Sequence, residues 1–442
     1  MKLTRGLSLL VLAGFALATP IDKPAVSEKV SYDGYKAYRV SLPSSSDADN
    51  AFFDDEDTSF IELHRRREKS GTWAVDIAVA PRDIPAFFEV VGRDNVAVSV
   101  LSHDLGADFA AESVESVSKG KEGEGKGEGE RERRLPGLEW FDAYHPYADH
   151  VTYWADLHAA FPNNSELIVA GTSFEGRPVQ GIHLWGKGGK DSKEAIFFNG
   201  NVHAREWITS MVVEYILYQI VTGYETDELV QKVLDNYDFY VLPVVNPDGF
   251  VYTQTTNRLW RKNRQIRSNT TAIGTDINRN WAVGFGGDGS SPNPSSETFS
   301  GFAPFDAPET AALATYTRKL RDLHGIKLYV DWHSYAQTIL LSYGYTCTDF
   351  PGNYDEQYDL AQGIASAIKG VYGTAFEYGS GCLVLYQSSG NGRDYVTDVG
   401  KAQFGWGIEL RDTQYGFMLP PEQILPSGIE IWEGLKYAWT QF

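Results

Sequence analysis

The chain has 442 residues, of which 42% are hydrophobic, 13% aromatic and 22% charged. That is enough apolar material for a large buried core, and the aromatic content excludes a mostly disordered polymer. With 59 acidic against 39 basic side chains, a formal charge of −20 and two cysteines, a general nucleic-acid binder, a disulfide-dense scaffold and a cysteine-built zinc finger are excluded.

In chain order, Lys2 and Arg5 precede the apolar run Leu7–Ala18, which ends in the small-residue pattern Ala16-Leu17-Ala18. This reads as a secretory signal peptide over residues 1–18. The run is too short to cross a bilayer, which needs about 20 residues, so no membrane association is expected. The expected location is extracellular, with a lytic compartment as the other destination. In that oxidising setting a Cys347–Cys382 disulfide is expected, closing a loop for about 3–4 kcal/mol. Asn163 and Asn269 stand in glycosylation sequons.

Residues 19–134 read as a small α/β open-sandwich unit and a tether. Lys36–Leu42, Thr72–Val79 and the β-branched run Val96–Leu101 have strand patterning, and Pro85–Val91 reads as helix. The acidic stretch Asp54–Asp57 reads as a solvated face. Lys119–Arg134 contains only Gly, Lys, Glu and Arg, with no apolar side chain to bury, and ends in the dibasic pair Arg133-Arg134. A folded unit, a cleavable tether and a large unit suggest a pro-domain removed by a protease at that pair.

Residues 135–442 read as a second, larger α/β unit. Strand-like runs recur at 196–198, 239–245, 326–330 and 404–408, with helical patterns between them. After Arg205, Ile208, Val212, Ile216 and Ile220 line one helix face. The alternation predicts a mixed, mainly parallel sheet covered by helices on both faces. Such sheets bind ligands beyond the carboxyl ends of their strands. Directly after the strand ending at Phe198 come His203 and Glu206, and after the strand ending at Val330 comes His333. Two histidines and one glutamate leave a tetrahedral zinc with one open position. A ligating histidine also needs an acceptor for its second ring nitrogen, and Asp276 is a candidate.

The larger unit resembles the zinc metallocarboxypeptidases of the carboxypeptidase A/B family. The matching runs fall in order at 175–178, 203–207, 257–262, 276–281, 333–335, 386–387 and 409–413, reading EGRP, HAREW, NRLWRK, DINRNW, HSY, YQ and ELRDT. The resemblance implies one zinc ion on His203, Glu206 and His333, and peptide or protein C-termini as substrates. It implies that Asn278, Arg279 and Tyr386 hold the terminal carboxylate, that Glu409 moves the proton, and that Arg261 meets the developing oxyanion. Arg205 resembles a contact to residues further from the terminus, and Tyr335 and Phe417 resemble flanking subsite walls. Family members are often zymogens with an N-terminal pro-domain, which fits the tether, and Cys347 and Cys382 fall where some members bridge two loops. A monomer is expected.

Arg393, seven residues after Tyr386, falls where the family reads the C-terminal side chain. An arginine there resembles the members that favour acidic ends; otherwise it pairs with a protein carboxylate, Asp394 included, or turns to solvent. The competing readings of the chain are a catalytically silent binding protein that keeps the fold and an amidase of cell-wall peptides. Intact Glu409 and Arg261 oppose the first, and the full Asn278, Arg279 and Tyr386 set opposes the second.

Overall fold

Two sheets organise the chain in the computed structural model, which describes residues 28–42, 60–68, 71–93, 96–112, 114, 135–411 and 414–442. The leader, Asp54–Asp57, and the tether with Arg133-Arg134 lie outside the described residues.

The first sheet has strands β1 (Lys36–Leu42), β2 (Ile61–Arg67), β3 (Trp73–Val79) and β4 (Ala97–Ser102) in the order β2-β3-β1-β4, all antiparallel. The helix Ile84–Arg93 covers one face, where Tyr38, Val40, Val75, Ile77, Val79, Phe87 and Val91 close a core. The expected strands are present with bounds shifted by a residue or so, but β2 was not predicted. Its sequence, Ile-Glu-Leu-His-Arg-Arg-Arg, lacks apolar alternation past Leu63 because it is an edge strand.

The second sheet has β5 (Ser165–Thr172), β6 (Pro178–Leu184), β7 (Ala195–Asn199), β8 (Asp238–Leu242), β9 (Ile326–Ser334), β10 (Thr338–Leu341), β11 (Glu377–Ser380) and β12 (Phe404–Leu410). Their order is β11-β10-β12-β9-β7-β8-β6-β5. The central strands β12, β9, β7 and β8 are mutually parallel, and antiparallel strands flank them. Helices Tyr147–Ala160, Ile208–Gly223, Tyr354–Tyr372 and Ile424–Gln441 pack on one face, and Pro308–Leu323 packs on the other. The predicted mixed sheet, covered on both sides, is what forms.

Three local expectations need correction. The helix Ile208–Gly223 is buried on every side from Ile208 to Leu217, so the stripe of four understates its burial. Its Glu214 is tolerated there because Trp140, Trp154 and His150 all contact the carboxylate at 2.7–2.9 Å. Strand β8 stops at Leu242, because Pro243 cannot donate to a ladder. Strands β9 and β12 run further than predicted, to Ser334 and Leu410, so His333 and Glu409 lie on strands and not in loops after them. Cys347 and Cys382 form the expected disulfide, Cα atoms 5.2 Å apart, and Asn163 and Asn269 are exposed. No helix among the described residues is long and apolar enough to cross a membrane.

The second face of the small sheet docks on the large unit. Ala37, Leu63, Ala78 and Leu105 share one apolar cluster with Leu259, Tyr335, Phe417 and Met418. Around it, Val30 N donates to Thr256 O and the Tyr32 hydroxyl donates to Asn257 Oδ1, both at 2.8 Å. Arg258 meets Glu112 through two contacts of 2.6 Å, with both side chains buried. Burial pushes the Glu112 carboxyl up, and the guanidinium opposes it. Glu112→Ala strands that guanidinium without its carboxylate, and breaking a buried pair from one side costs about 3–5 kcal/mol. Its denaturation midpoint should fall accordingly; an unchanged midpoint would show that the pair contributes nothing to docking.

Candidate metal centre and active site

The site forms where the parallel strands end. Past β7 the chain turns sharply: Asn201 takes a left-handed conformation (φ 53°), its N–H donates to Thr209 Oγ1 at 2.8 Å, and its side-chain amide donates to Glu206 O at 3.2 Å. This turn presents His203 and Glu206 on one side, with His203 Nδ1 2.8 Å from Glu206 Oε1. From β9, His333 Nδ1 comes within 3.2 Å of both His203 Nδ1 and Glu206 Oε2. The ligand atoms of all three residues lie within 4.8 Å of one another. Among the described residues this is the one such grouping of His, Cys, Asp or Glu.

The donor chemistry fits a divalent cation. Each histidine turns its Nε2 to a carboxylate, His203 to Asp276 at 3.2 Å and His333 to Asp331 at 3.0 Å. A proton held there leaves the Nδ1 lone pair free, so two lone pairs and a carboxylate face one another across about the width of an ion. Burial would raise the Glu206 carboxyl, but His203 and His333 beside it pull it below the usual carboxylate range.

Glu409 stands next to this cluster. In the parallel register of β9 and β12 it lies opposite His333. It is buried, and its Oε2 has no hydrogen-bond partner among the described residues. Burial pushes the carboxyl up to about 7, with His333 pulling down and Glu206 pushing further up.

The turn Ile277–Arg279 forms the next wall. Asp276 caps it by accepting from Asn278 N at 2.9 Å, and its other oxygen pairs with Arg261 Nη2 at 2.8 Å. One carboxylate thus serves His203, the turn and Arg261; burial would raise it, but Arg261 and His203 hold it well below the carboxylate range. Arg279 is fixed by donating to Gly289 O at 2.8 Å and Asn278 O at 2.9 Å, and its remaining nitrogen lies 3.3 Å from the Tyr386 hydroxyl. Asn278 contacts His333 Nε2 at 3.1 Å and accepts from Gly392 N at 2.8 Å.

Arg393 is 5% exposed, so it does not turn to solvent. It donates from Nη2 to Ser388 Oγ at 3.2 Å, while its Nε has no hydrogen-bond partner among the described residues. Asp394 is 3.8 Å away and its oxygens are already taken by Gly344 N, Tyr345 N and Asn391 Nδ2 at 2.7–3.0 Å. The guanidinium lies in a cradle where a Cβ on Gly344 or Gly381 would collide with it. The Cys347–Cys382 bridge ties together the two segments that carry these glycines.

Arg205, Tyr335 and Phe417 lie together under the small unit. Arg205 donates to Leu63 O at 2.9 Å and to Leu259 O at 3.2 Å, and its guanidinium sits 4.5 Å above the Phe417 ring. The Tyr335 hydroxyl donates to Asp76 Oδ2 at 2.6 Å, and its ring stacks on His64 at 4.6 Å. A cavity of about 820 Å³ remains between β2 and the large unit, reaching Arg205, Arg261 and Tyr386. Of the predicted site residues, Arg205, Arg261 and Tyr386 line this cavity, and direct contacts link Arg261 through Asp276 to His203 and link Tyr386 to Arg279. Asp331, Leu63, His64 and Asp76 were missed. For Asp331 the signal was the two-residue spacing from His333 on a strand, and for Asp76 it was a carboxylate inside the apolar run Trp73–Val79.

Comparison with known proteins adds three findings. A family model described as zinc carboxypeptidase matches residues 150–434. A metallocarboxypeptidase A-like protein of Trichophyton verrucosum is 39% identical over 439 residues, covering 98% of this chain and 99% of its own, and metallocarboxypeptidase A of Trichophyton rubrum is 39% identical over 427 residues, covering 96% and 97%. Among solved structures, carboxypeptidase A from Helicoverpa armigera superposes with a TM-score of 0.76 at 27% identity, covering 92% of this chain and 97% of that one.

A ligand that binds only the folded state stabilises it, by about 2.7 kcal/mol at a hundredfold excess over its Kd. Chelation should therefore lower the melting temperature and zinc should restore it, whereas His203→Ala should show neither shift. Equal melting with and without chelator would argue against a metal at this cluster.

Proposed function

Since the chain belongs to the zinc carboxypeptidase family and is a metallocarboxypeptidase, a peptide hydrolase acting at peptide C-termini, we propose that it is a secreted exopeptidase, made as a zymogen, that removes single C-terminal residues with a preference for acidic ones. The observation that carries the catalytic part is the convergence of His203, Glu206 and His333 with Glu409 in register beside them. A single zinc on the three ligands would supply Lewis acidity toward the scissile carbonyl and toward water. Glu409, buried and with a free oxygen, takes the proton of the attacking water and passes it to the leaving amine. Arg279, Tyr386 and Asn278 bind the terminal carboxylate; the planar guanidinium suits two parallel hydrogen bonds. Arg261 stands beside the cluster to stabilise the developing oxyanion, while Asp276 fixes its orientation.

The acidic preference rests on Arg393. A buried guanidinium with one serine hydrogen bond and an aspartate 3.8 Å away whose oxygens are already hydrogen-bonded is incompletely satisfied, and a substrate Asp or Glu completes it. The zymogen reading is supported by the small unit occupying Arg205 through Leu63 O and Tyr335 through Asp76. The signal sequence, the disulfide and the exposed sequons at Asn163 and Asn269 support secretion.

Two outcomes follow for the enzyme cleaved after Arg134. Glu409→Gln should lower kcat by about 10²–10⁴ with KM little changed, and peptides ending in Glu should give a higher kcat/KM than those ending in Phe or Lys. Arg393→Ile should reverse that order. A wild-type preference for Phe or Lys ends would remove the acidic reading and leave the hydrolase.

Docking of the small unit should also weaken in acid. Burial pushes His64 down to about 3, with Asp76 opposing, Arg66 assisting, and Glu206 and Arg205 also facing it. A released histidine titrates near its ordinary value of about 6.5, so the docked state binds fewer protons and loses stability as pH falls below that value. After cleavage the small unit should separate faster at low pH than at neutral pH. His64→Phe should flatten that dependence; if it persists unchanged, other groups govern release.

A further inference from the structure

Asp331 has no part in the mechanism above, yet it touches a ligand of the metal centre. It lies two residues before His333 on β9, so strand alternation puts both side chains on one face. Its Oδ2 is 3.0 Å from His333 Nε2, and its Oδ1 has no hydrogen-bond partner among the described residues; Asn278 Nδ2 is 3.1 Å from the same Nε2, but an amide N–H only donates, so of these two neighbours Asp331 is the acceptor for a proton held there. The register sets Asn199 on β7 and Gly407 on β12 beside it, neither a cation. Asp331 is 2% exposed. A carboxylate left half satisfied at that depth is destabilising unless its charge acts on something, and strand pairing does not require it.

We propose that Asp331 is a positioning residue of the metal centre: its carboxylate holds the proton on His333 Nε2, aims Nδ1 at the point shared with His203 and Glu206, and adds negative charge that tightens the hold on a dication. Asp276 backs His203 in the same way, but the two carboxylates differ. The Asp276 charge is matched by Arg261 at 2.8 Å, whereas the ion pair described for Asp331 is with His333 alone. The Asp331 charge is therefore not neutralised by an arginine and acts on the site itself. Removing a partner of this kind weakens metal affinity by roughly 10- to 100-fold.

The inference rests on His333 being a metal ligand, and the test separates the two. Zinc affinity of the metal-free full chain is measured by competition with a chromophoric chelator for the wild type, Asp331→Asn, Asp331→Ala and Glu206→Gln. Asp331→Ala should bind zinc roughly 10- to 100-fold more weakly, and Asp331→Asn should fall between, because its amide oxygen still accepts from Nε2 without the charge. The cobalt-loaded Asp331→Asn protein should show shifted d–d absorption, which a merely structural role would not produce. Should Asp331→Ala fail to fold, the isosteric Asp331→Asn carries the same readout. Asp331 variants that hold zinc as tightly as the wild type, or that lose only melting temperature, overturn the proposal while the metal centre stands. Glu206→Gln binding zinc as tightly as the wild type overturns the three-ligand reading, and this inference with it.

Discussion

Two imidazole nitrogens and a carboxylate converge to 2.8–3.2 Å of one another, a convergence that needs a positive charge, a proton or a metal ion, held among them. The architecture around the site is organised to hold that arrangement. His333 is fixed by a central strand with neighbours on both sides, and His203 and Glu206 by a turn pinned through Asn201 and Thr209. Sites carried on strands lose less precision than sites carried on loops, because the ladder leaves the backbone few alternatives.

Around the cluster, buried charge is distributed with a pattern. Glu206, Asp276, Asp331 and Glu409 are all under 10% exposed. Asp276 is matched by Arg261, and Glu206 by the two histidines, so both stay ionised. Glu409 is left with a free oxygen and a carboxyl raised toward neutrality, as suits a group that must take up and return a proton. On the far wall the positive charges are unequal in the same sense. Arg279 is tied down by backbone carbonyls, while Arg393 is buried with little to meet it. The region thus presents Arg279 held by backbone carbonyls, Arg393 with an Asp394 carboxylate 3.8 Å away that is already hydrogen-bonded, and Glu409 with an unpartnered oxygen.

The small unit uses the same polar groups. Arg205 and Tyr335, which face the groove, are engaged by a strand carbonyl and by a buried aspartate. An edge strand suits this task because one of its backbone edges is unpaired within its own sheet. The apolar cluster shared by the units packs beside these polar contacts, with Leu63, Tyr335 and Phe417 among its members.

Legibility in the sequence followed local physics. Strand β1 was readable residue for residue, since its pattern is set by one buried face. Strand β2 was not, because it is an edge strand whose charged residues break the alternation, and the groups it offers the large unit, Leu63 O and the His64 ring, follow no local pattern. His203, Glu206 and His333 were identifiable because metal chemistry restricts which residue types can serve, and spacing brings His203 and Glu206 together within one turn, whereas Glu409 was identified through the family resemblance of the run at 409–413. Asp331 escaped because its role depends on His333 lying on a strand, and that strand was expected to end at Val330.

By itself, the sequence determined the fold class, the ligand types, the paired cysteines and the presence of Arg393. Those features depend on residue identity and short-range periodicity. Tertiary structure alone decided that Asp394 is already occupied beside Arg393, that Asp331 backs His333, and that Leu63 and Asp76 reach Arg205 and Tyr335. The physical reason is that whether a buried charge is satisfied depends on groups far away in the chain, which only folding brings within hydrogen-bonding distance.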